Sequence, residues 1–344
     1  MRPSFFHHLH PPTIPAPQAR WRYTLGAGGM AVFLALVVGA TGILEMYYYI
    51  HTPERAALSV QTITYLVPFG GLVRNLHYWS AQLLLVVMGV HLLRVFFTGA
   101  YSRPRRFNNI LGMALLVVGV LLDFTGYVLR WDQGIQWALV VGTNLLETIP
   151  AIGHSLYVII TGGAELGAAT LIRFYSWHVF GLTLPFVVLA VWHIFRVRRD
   201  GGIAVPPPAL RTDHQRISRH ELVRREALAA LLAATALMLL AVARPAPIGA
   251  PITDVRELTA EAVAPWFFLW VQELLKWGDA FVLGVLVPLV LLGMLCALPY
   301  LLRGPAPAEL GRWFPKSGRA IQVLVGVIAA ALASLTALAL LQAP

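Results

Sequence analysis

The chain has 344 residues, 58% of them hydrophobic and only 12% charged, with a formal net charge of +10. So apolar a composition excludes a soluble globular domain, and because the basic residues fall in short loops it also excludes a nucleic-acid-binding domain. The single cysteine, Cys296, excludes an iron–sulfur cluster held by this chain alone, and no Cys-x-x-Cys-His haem attachment sequence is present.

The N-terminal stretch HHLHPPTIPAPQARWRY is rich in proline and is expected to be irregular. Seven apolar runs then follow, at 25–49, 77–98, 110–130, 173–197, 227–243, 279–302 and 320–341. Each approaches the length of roughly 20 residues that crosses a bilayer. The fifth is short and alanine-rich and is the weakest of them. The first is too long for a signal core and lacks a small-residue cleavage site. A soluble all-α core would need polar helix faces, which these runs lack. The expectation is an all-α membrane protein of seven spans, a four-helix bundle followed by three further transmembrane helices.

Between the third and fourth spans, residues 131–172 are too long for a simple connection, and their apolar stretches are too short to cross. They are expected to lie on the outer surface as short amphipathic helices. Residues 200–226, DGGIAVPPPALRTDHQRISRHELVRRE, read as a connector, which divides the chain into 1–205, a linker at 206–226, and 227–344. A second long outer loop, 244–278, contains EAVAPWFFLWVQELLKW.

Most of the 26 lysines and arginines lie in the N-terminal tail and in the 2–3, 4–5 and 6–7 connections; Arg55, Arg74, Arg130, Arg173, Arg244, Arg256 and Lys276 fall on the other side. The positive-inside rule then puts the N-terminus in the cytoplasm and the C-terminus outside, in a bacterial plasma membrane or another energy-transducing membrane.

Four histidines lie inside spans: His77 and His91 on the second, 14 apart, and His178 and His193 on the fourth, 15 apart. At 100° per residue each pair returns to within about 40° or 60° of one face, separated by about 21–22 Å along the helix. One span lies between them, so the second and fourth run parallel, and His77 faces His178 while His91 faces His193. Two stacked bis-imidazole sites suit two b-type haems in a bundle with an open centre. Gly28 and Gly42 on the first span, and Gly112 and Gly126 on the third, are also 14 apart and would let a macrocycle edge approach the backbone. A lone intramembrane histidine is often only a hydrogen-bonded interior residue, but four at matching depths are not explained that way. A di-zinc site would need carboxylate or thiolate neighbours, and a histidine proton relay leaves the glycines unexplained. Arg74, Arg94, Arg103 and Arg105 would meet haem propionates; taken singly, each also fits interfacial snorkelling.

These features sit in ATGILEMYYY, SVQTIT, RNLHYWSAQ, HLLRVFFTGAY, FTGYVLRWDQ, IPAIG, GGAELGAATLIRFYSWHVF and WHIFRVRRDGG, and with them the chain resembles the cytochrome b subunit of quinol-oxidising cytochrome bc complexes. The spacings of 14 and 15 resemble the cytochrome b6 branch, and the last three spans look like its separate subunit IV, here fused. The resemblance implies axial ligation by His77 with His178 and by His91 with His193. It also implies an outer quinol-oxidising pocket, here taken as Pro150, Pro265, Trp266 and Phe267, and a quinone-reducing pocket near the inner haem. The substrate would be of menaquinone, ubiquinone or plastoquinone type. Implied partners are a Rieske iron–sulfur protein and a c-type cytochrome or equivalent acceptor, in a homodimeric complex.

The chain departs from the family in several places. The Pro-Glu-Trp-Tyr motif appears as APWFF, with Pro265 at the glutamate position and Phe267 at the tyrosine position. Arg130 stands where proline is usual, and the proline after the fourth-span histidine comes late, at Pro185. Leu34 occupies the position of the cysteine that holds a covalent haem, so no such linkage is expected. With the motif carboxylate gone, Glu147, Asp123 and Glu273 are the candidate proton acceptors. Glu147 is the first choice; Asp123 also reads as a neutral or arginine-paired structural acid, and Glu273 as a solvated interfacial residue. Competing readings are a di-haem membrane anchor of a dehydrogenase and a structural haem subunit whose quinol site has decayed.

Overall fold

The computed structural model describes residues 11–252 and 263–342; residues 253–262 of the second outer loop lie outside it, as do the first ten residues of the tail. In chain order the helices are α1 (Ala27–Met46), α2 (Ala56–Tyr65), α3 (Gly70–Phe97), α4 (Arg106–Val128), α5 (Gln136–Glu147), α6 (Gly153–Thr161), α7 (Ala168–Arg199), α8 (Arg219–Ala243), α9 (Leu269–Leu275), α10 (Val282–Leu301) and α11 (Arg319–Leu341). Of these, α1, α3, α4, α7, α8, α10 and α11 are long and apolar enough to cross a membrane, so the seven expected spans are present. Helix is the form these runs must take, because lipid offers no partner for a backbone N–H or C=O.

Two spans start seven or eight residues before their apolar runs. The second apolar run begins at 77, yet α3 begins at Gly70 and takes in Arg74 and Asn75. Arg74 donates to the carbonyls of Ala246 and Pro247, at 3.2 and 2.5 Å, and Asn75 to that of Ala241 at 2.8 Å, so neither meets lipid bare. The fifth apolar run begins at 227, and α8 begins at Arg219. Ser218 accepts from the Glu221 backbone N–H, and Glu221 in turn pairs with Arg224 and Arg225. This is the Ser-x-x-Glu start of a helix, legible in the sequence and outside the apolar pattern.

From residue 11 onward the tail is more regular than its prolines suggest. Thr13–Pro15 (β1) pairs antiparallel with Arg216–Ser218 (β2) of the connector, and Arg216 also donates to Thr13. Proline is tolerated there because a two-stranded ribbon is all edge.

α1 packs along α3, and α7 along α4; α8 covers α3 and α1, while α10 lies on α4. The loop after α4 folds as expected into short helices, α5 and α6. A buried cluster of Val128, Trp131, Ile135, Leu139, Leu171 and Phe174 fastens this loop to the end of α4 and the start of α7. Arg130 is part of the same corner. Its guanidinium clamps Asp132 at 2.7–3.0 Å, and Asp132 accepts from the Gly249 N–H at 2.8 Å. The usual proline is thus replaced by an ion pair that ties the second outer loop to the end of α4. Leu34 packs with Leu84 and Leu237.

Candidate functional site

Each of the four histidines is received by a neighbouring helix. His77 Nδ1 lies 3.1 Å from the Val38 carbonyl and 3.1 Å from Thr41 Oγ1 on α1. His178 Nδ1 lies 3.0 Å from the Leu122 carbonyl and 3.1 Å from Thr125 Oγ1 on α4. The two arrangements have the same form: a Thr-Gly dipeptide, and the carbonyl four residues before its glycine. An Nδ1–H donating to a carbonyl fixes the tautomer and frees Nε2 as a ligand. At the other level His91 Nδ1 and His193 Nδ1 are buried without a hydrogen bond of normal geometry, His193 lying against the backbone of Asn108.

The glycines serve the rings directly. A Cβ on Gly42 would stand 2.9 Å from His77 Cε1, on Gly126 2.7 Å from His178 Cε1, on Gly112 3.4 Å from His193 Cε1 and on Gly28 3.6 Å from His91 Cε1. At Gly42 and Gly126 the bare backbone leaves room that an imidazole takes up, whereas at Gly112 and Gly28 a Cβ would meet the ring only at ordinary contact distance. A graded outcome follows. Gly126→Ala should displace the His178 ring and lower or shift the absorbance of the group it ligates, while Gly28→Ala should leave the spectrum unchanged. Equal effects in absorbance spectra of the two purified variants would contradict this account of the glycines.

The rings face each other as expected, which makes α3 and α7 parallel. The His77 and His178 centroids are 6.3 Å apart, and those of His91 and His193 are 6.4 Å apart. Two metal–imidazole bonds of about 2.0 Å, plus the step from nitrogen to ring centre on each side, closely match that separation. The unequal spacings of 14 and 15 are reconciled in α7, where Trp177–Gly181 form a π-turn that contains His178. Leu182 N–H reaches the Trp177 carbonyl at 2.7 Å, so one extra residue is absorbed. Pro185 follows, and its missing N–H faces the carbonyl of Gly181 at the end of that turn. Among the described residues no group of three or more His, Cys, Asp or Glu is placed to hold an ion, so the imidazole pairs stand alone, as an axial set for a macrocycle requires.

The candidate cations differ in how far they are engaged. Arg74 is spent on the carbonyls already described. Arg105 donates to the Gly202 and Asp200 carbonyls at 3.1 and 3.0 Å; burial pushes its guanidinium down from the usual value, opposed by Tyr23 and Asp200. Arg94 donates to the Tyr23 carbonyl at 3.0 Å and stacks over the Tyr23 ring, but one terminal nitrogen stays buried and unpartnered, which suits a carboxylate. Arg103 lines a separate cavity at the bend between α3 and α4.

Asp123 is not paired with arginine. Gln82 on α3 donates to both its oxygens, at 2.9 and 3.1 Å, and the Gln82 carbonyl accepts from Trp266 Nε1 at 2.6 Å. One amide thus connects α4 to the altered loop motif. Around it Phe124 meets Phe174 and Phe268 edge-on, and Phe267 lies between Trp266 and Phe268. Pro265 is buried, whereas Pro150 lies at the exposed turn between α5 and α6. Glu147 is outside this hydrogen-bonded chain, exposed, with His154 Nδ1 at 3.3 Å. Glu273 corrects its solvated reading: it is buried, only 3% exposed, and pairs with Lys276 at 2.6 Å, which also reaches Gln342. Gln82, His154, Thr41 and Thr125 are not among the residues expected from the sequence. The repeated Thr-Gly before each receiving helix's outer contact was the available signal for the threonines.

A helical membrane bundle built around two facing imidazole pairs is the class that this geometry defines. Residues 14–201 match the family model described as Cytochrome b/b6/petB, more than half of the chain, and the protein belongs to that cytochrome b/b6 family and carries b-type haem. It is 38% identical over 187 residues to cytochrome b6 of Heliomicrobium gestii, covering 54% of this chain and 88% of that one. Cytochrome b6 of Cyanidium caldarium is 40% identical over 174 residues, 51% of this chain and 81% of that one. A chain of a solved hyperthermophilic respiratory complex III has the same fold, with a TM-score of 0.80 and 21% identity over 94% of this chain and 85% of that one. At that coverage the likeness of fold extends into the last three spans.

Proposed function

We propose that this chain is the cytochrome b subunit of a quinol-oxidising bc-type complex. It would hold two b haems, one between His77 and His178 near the outer face and one between His91 and His193 near the inner face. The observation that carries this reading is the pair of facing imidazoles at each end of one bundle, 6.3 and 6.4 Å between centroids. When bound, the two haems would carry one electron of each quinol across the membrane, the other passing to a Rieske protein and on to a c-type cytochrome or equivalent acceptor.

The chain's own residues position and deprotonate. Thr41 and Val38, and Thr125 and Leu122, hold the outer rings with Nδ1 occupied and Nε2 free. Phe124, Phe267 and Phe268 form the apolar wall that keeps water from the outer pocket. Asp123 anchors the Gln82 amide, and Gln82 anchors Trp266, so this acid is a positioning residue for the loop. Glu147 takes the role of the missing motif carboxylate, accepting the quinol proton and passing it to His154 Nδ1, whose ring is largely exposed to water. Orientation with the N-terminus inside rests on the arginine bias, and the assembly would be a homodimer.

The test is purification of the complex from its native membrane. Co-purification of a Rieske protein, with inhibitor-sensitive reduction of cytochrome c by menaquinol or ubiquinol, is the expected result. Haem-loaded protein that co-purifies with a hydrogenase or formate dehydrogenase and lacks that activity would favour the membrane-anchor reading instead.

A further inference from the structure

Glu45 is an acid inside the bundle that the redox reading leaves unused. It stands at the outer end of α1, four residues beyond Thr41 and three beyond Gly42, the pair that receives the His77 ring. On a helix those offsets return to the same face, about 5 Å further out. Its Oε1 is buried and has no hydrogen-bond partner. α3, packed along α1, brings Arg74 to this level, three residues outward of His77. Arg74 acts on Glu45 electrostatically, yet its terminal nitrogens donate to the carbonyls of Ala246 and Pro247 instead. Around Arg74 stand Tyr65 at the end of α2 and the Arg130–Asp132 ion pair of the loop after α4. α8, which also covers α1, carries no charged or titratable side chain after Glu226. A buried carboxyl without a partner keeps a charge only at high cost, so its proton is governed by the charges nearby.

We propose that Glu45 is the proton-binding group of the outer haem. It takes one proton from the outer water when that haem gains an electron from quinol, and returns it when the electron moves on to the inner haem. This rests on the reading that seats a haem between His77 and His178. One proton accompanies one electron in each direction, so the buried site never carries the added negative charge alone. An electron placed in a low-dielectric interior raises the proton affinity of a nearby carboxyl. By reciprocity the ionised carboxyl makes the electron harder to add. The exchange route is short, because α1 ends at the next residue, Met46, and Tyr47 and Tyr48 beyond it are exposed.

The test is a spectroelectrochemical titration of the haem-loaded full chain at several pH values through the neutral range. The centre that His178→Leu removes should have a midpoint potential that falls as pH rises, because the ionised carboxyl opposes the electron. In Glu45→Gln that midpoint should lose its pH dependence and stay at the acid limit of the wild type, with the inner centre unchanged. Glu45→Asp should restore the slope, and Glu54→Gln, at an exposed acid just beyond α1, should leave it as it was. A second measurement needs no variant: the infrared difference spectrum on reduction of the wild type should show a protonated-carboxyl band that shifts in deuterium oxide. Absence of that band would sink the proposal even if Glu45→Gln failed to fold. So would an outer midpoint independent of pH in the wild type, or a slope that survives in Glu45→Gln. A chain that binds no haem at His77 and His178 would instead overturn the reading on which this one rests, and this one with it.

Discussion

Replacing His178 with leucine is expected to remove one haem and spare the other. On the proposed reading His178 would supply one of two axial positions, and its ring is held by Leu122, Thr125 and the bare face of Gly126, none of which offers a substitute ligand. The His91–His193 pair lies about 21 Å away along α3, too far to be disturbed by a change in a single ring. The purified variant should therefore keep half of the wild-type haem absorbance with the spectrum and potential of the remaining centre unaltered. Transmembrane reduction should fall to background, because the outer step of the electron path is missing. Loss of both haems would mean that the two sites fold as one unit. Retention of both would show that His178 is not an axial ligand.

A pair of substitutions at Asp123 gives the second large effect and separates positioning from proton transfer. Asp123→Leu leaves the Gln82 amide without its acceptor inside the bundle, a loss worth about 1–3 kcal/mol, and releases Trp266 from α4. Quinol oxidation should fall strongly with both haem spectra intact. Asp123→Asn keeps a carbonyl oxygen for Gln82 Nε2 and should restore most of the turnover. Glu147→Gln, by contrast, should slow turnover by about 10²-fold or more, the usual range for removal of a general base, and no neutral replacement should rescue it. If Asn at 123 were as damaging as Leu while Glu147→Gln turned over normally, the two roles would be reversed.

Much of this site could be read before the structure. The histidine spacings state which rings share a level, because a membrane helix is regular and its period converts residue number into depth. Periodicity in the glycines marks where space is needed but not what fills it; at Gly42 and Gly126 the rings of His77 and His178 come too close for a Cβ. The 15-residue spacing on α7 hid a π-turn, since one absorbed residue leaves no mark in hydropathy. The early starts of α3 and α8 were missed because apolar runs ignore polar residues whose partners lie elsewhere in the chain, such as Arg74 on the carbonyls of Ala246 and Pro247. The Asp123–Gln82–Trp266 chain was hidden for the same reason, with its members far apart in sequence.

Haem content of the purified chain is the most direct measure of the two imidazole pairs. Quantifying extractable protohaem against protein, with the low-spin signature of bis-imidazole ligation, should give two non-covalently bound haems per chain. A value of one, a haem that resists extraction, or a high-spin five-coordinate centre would contradict the two stacked imidazole pairs on which everything else here is built.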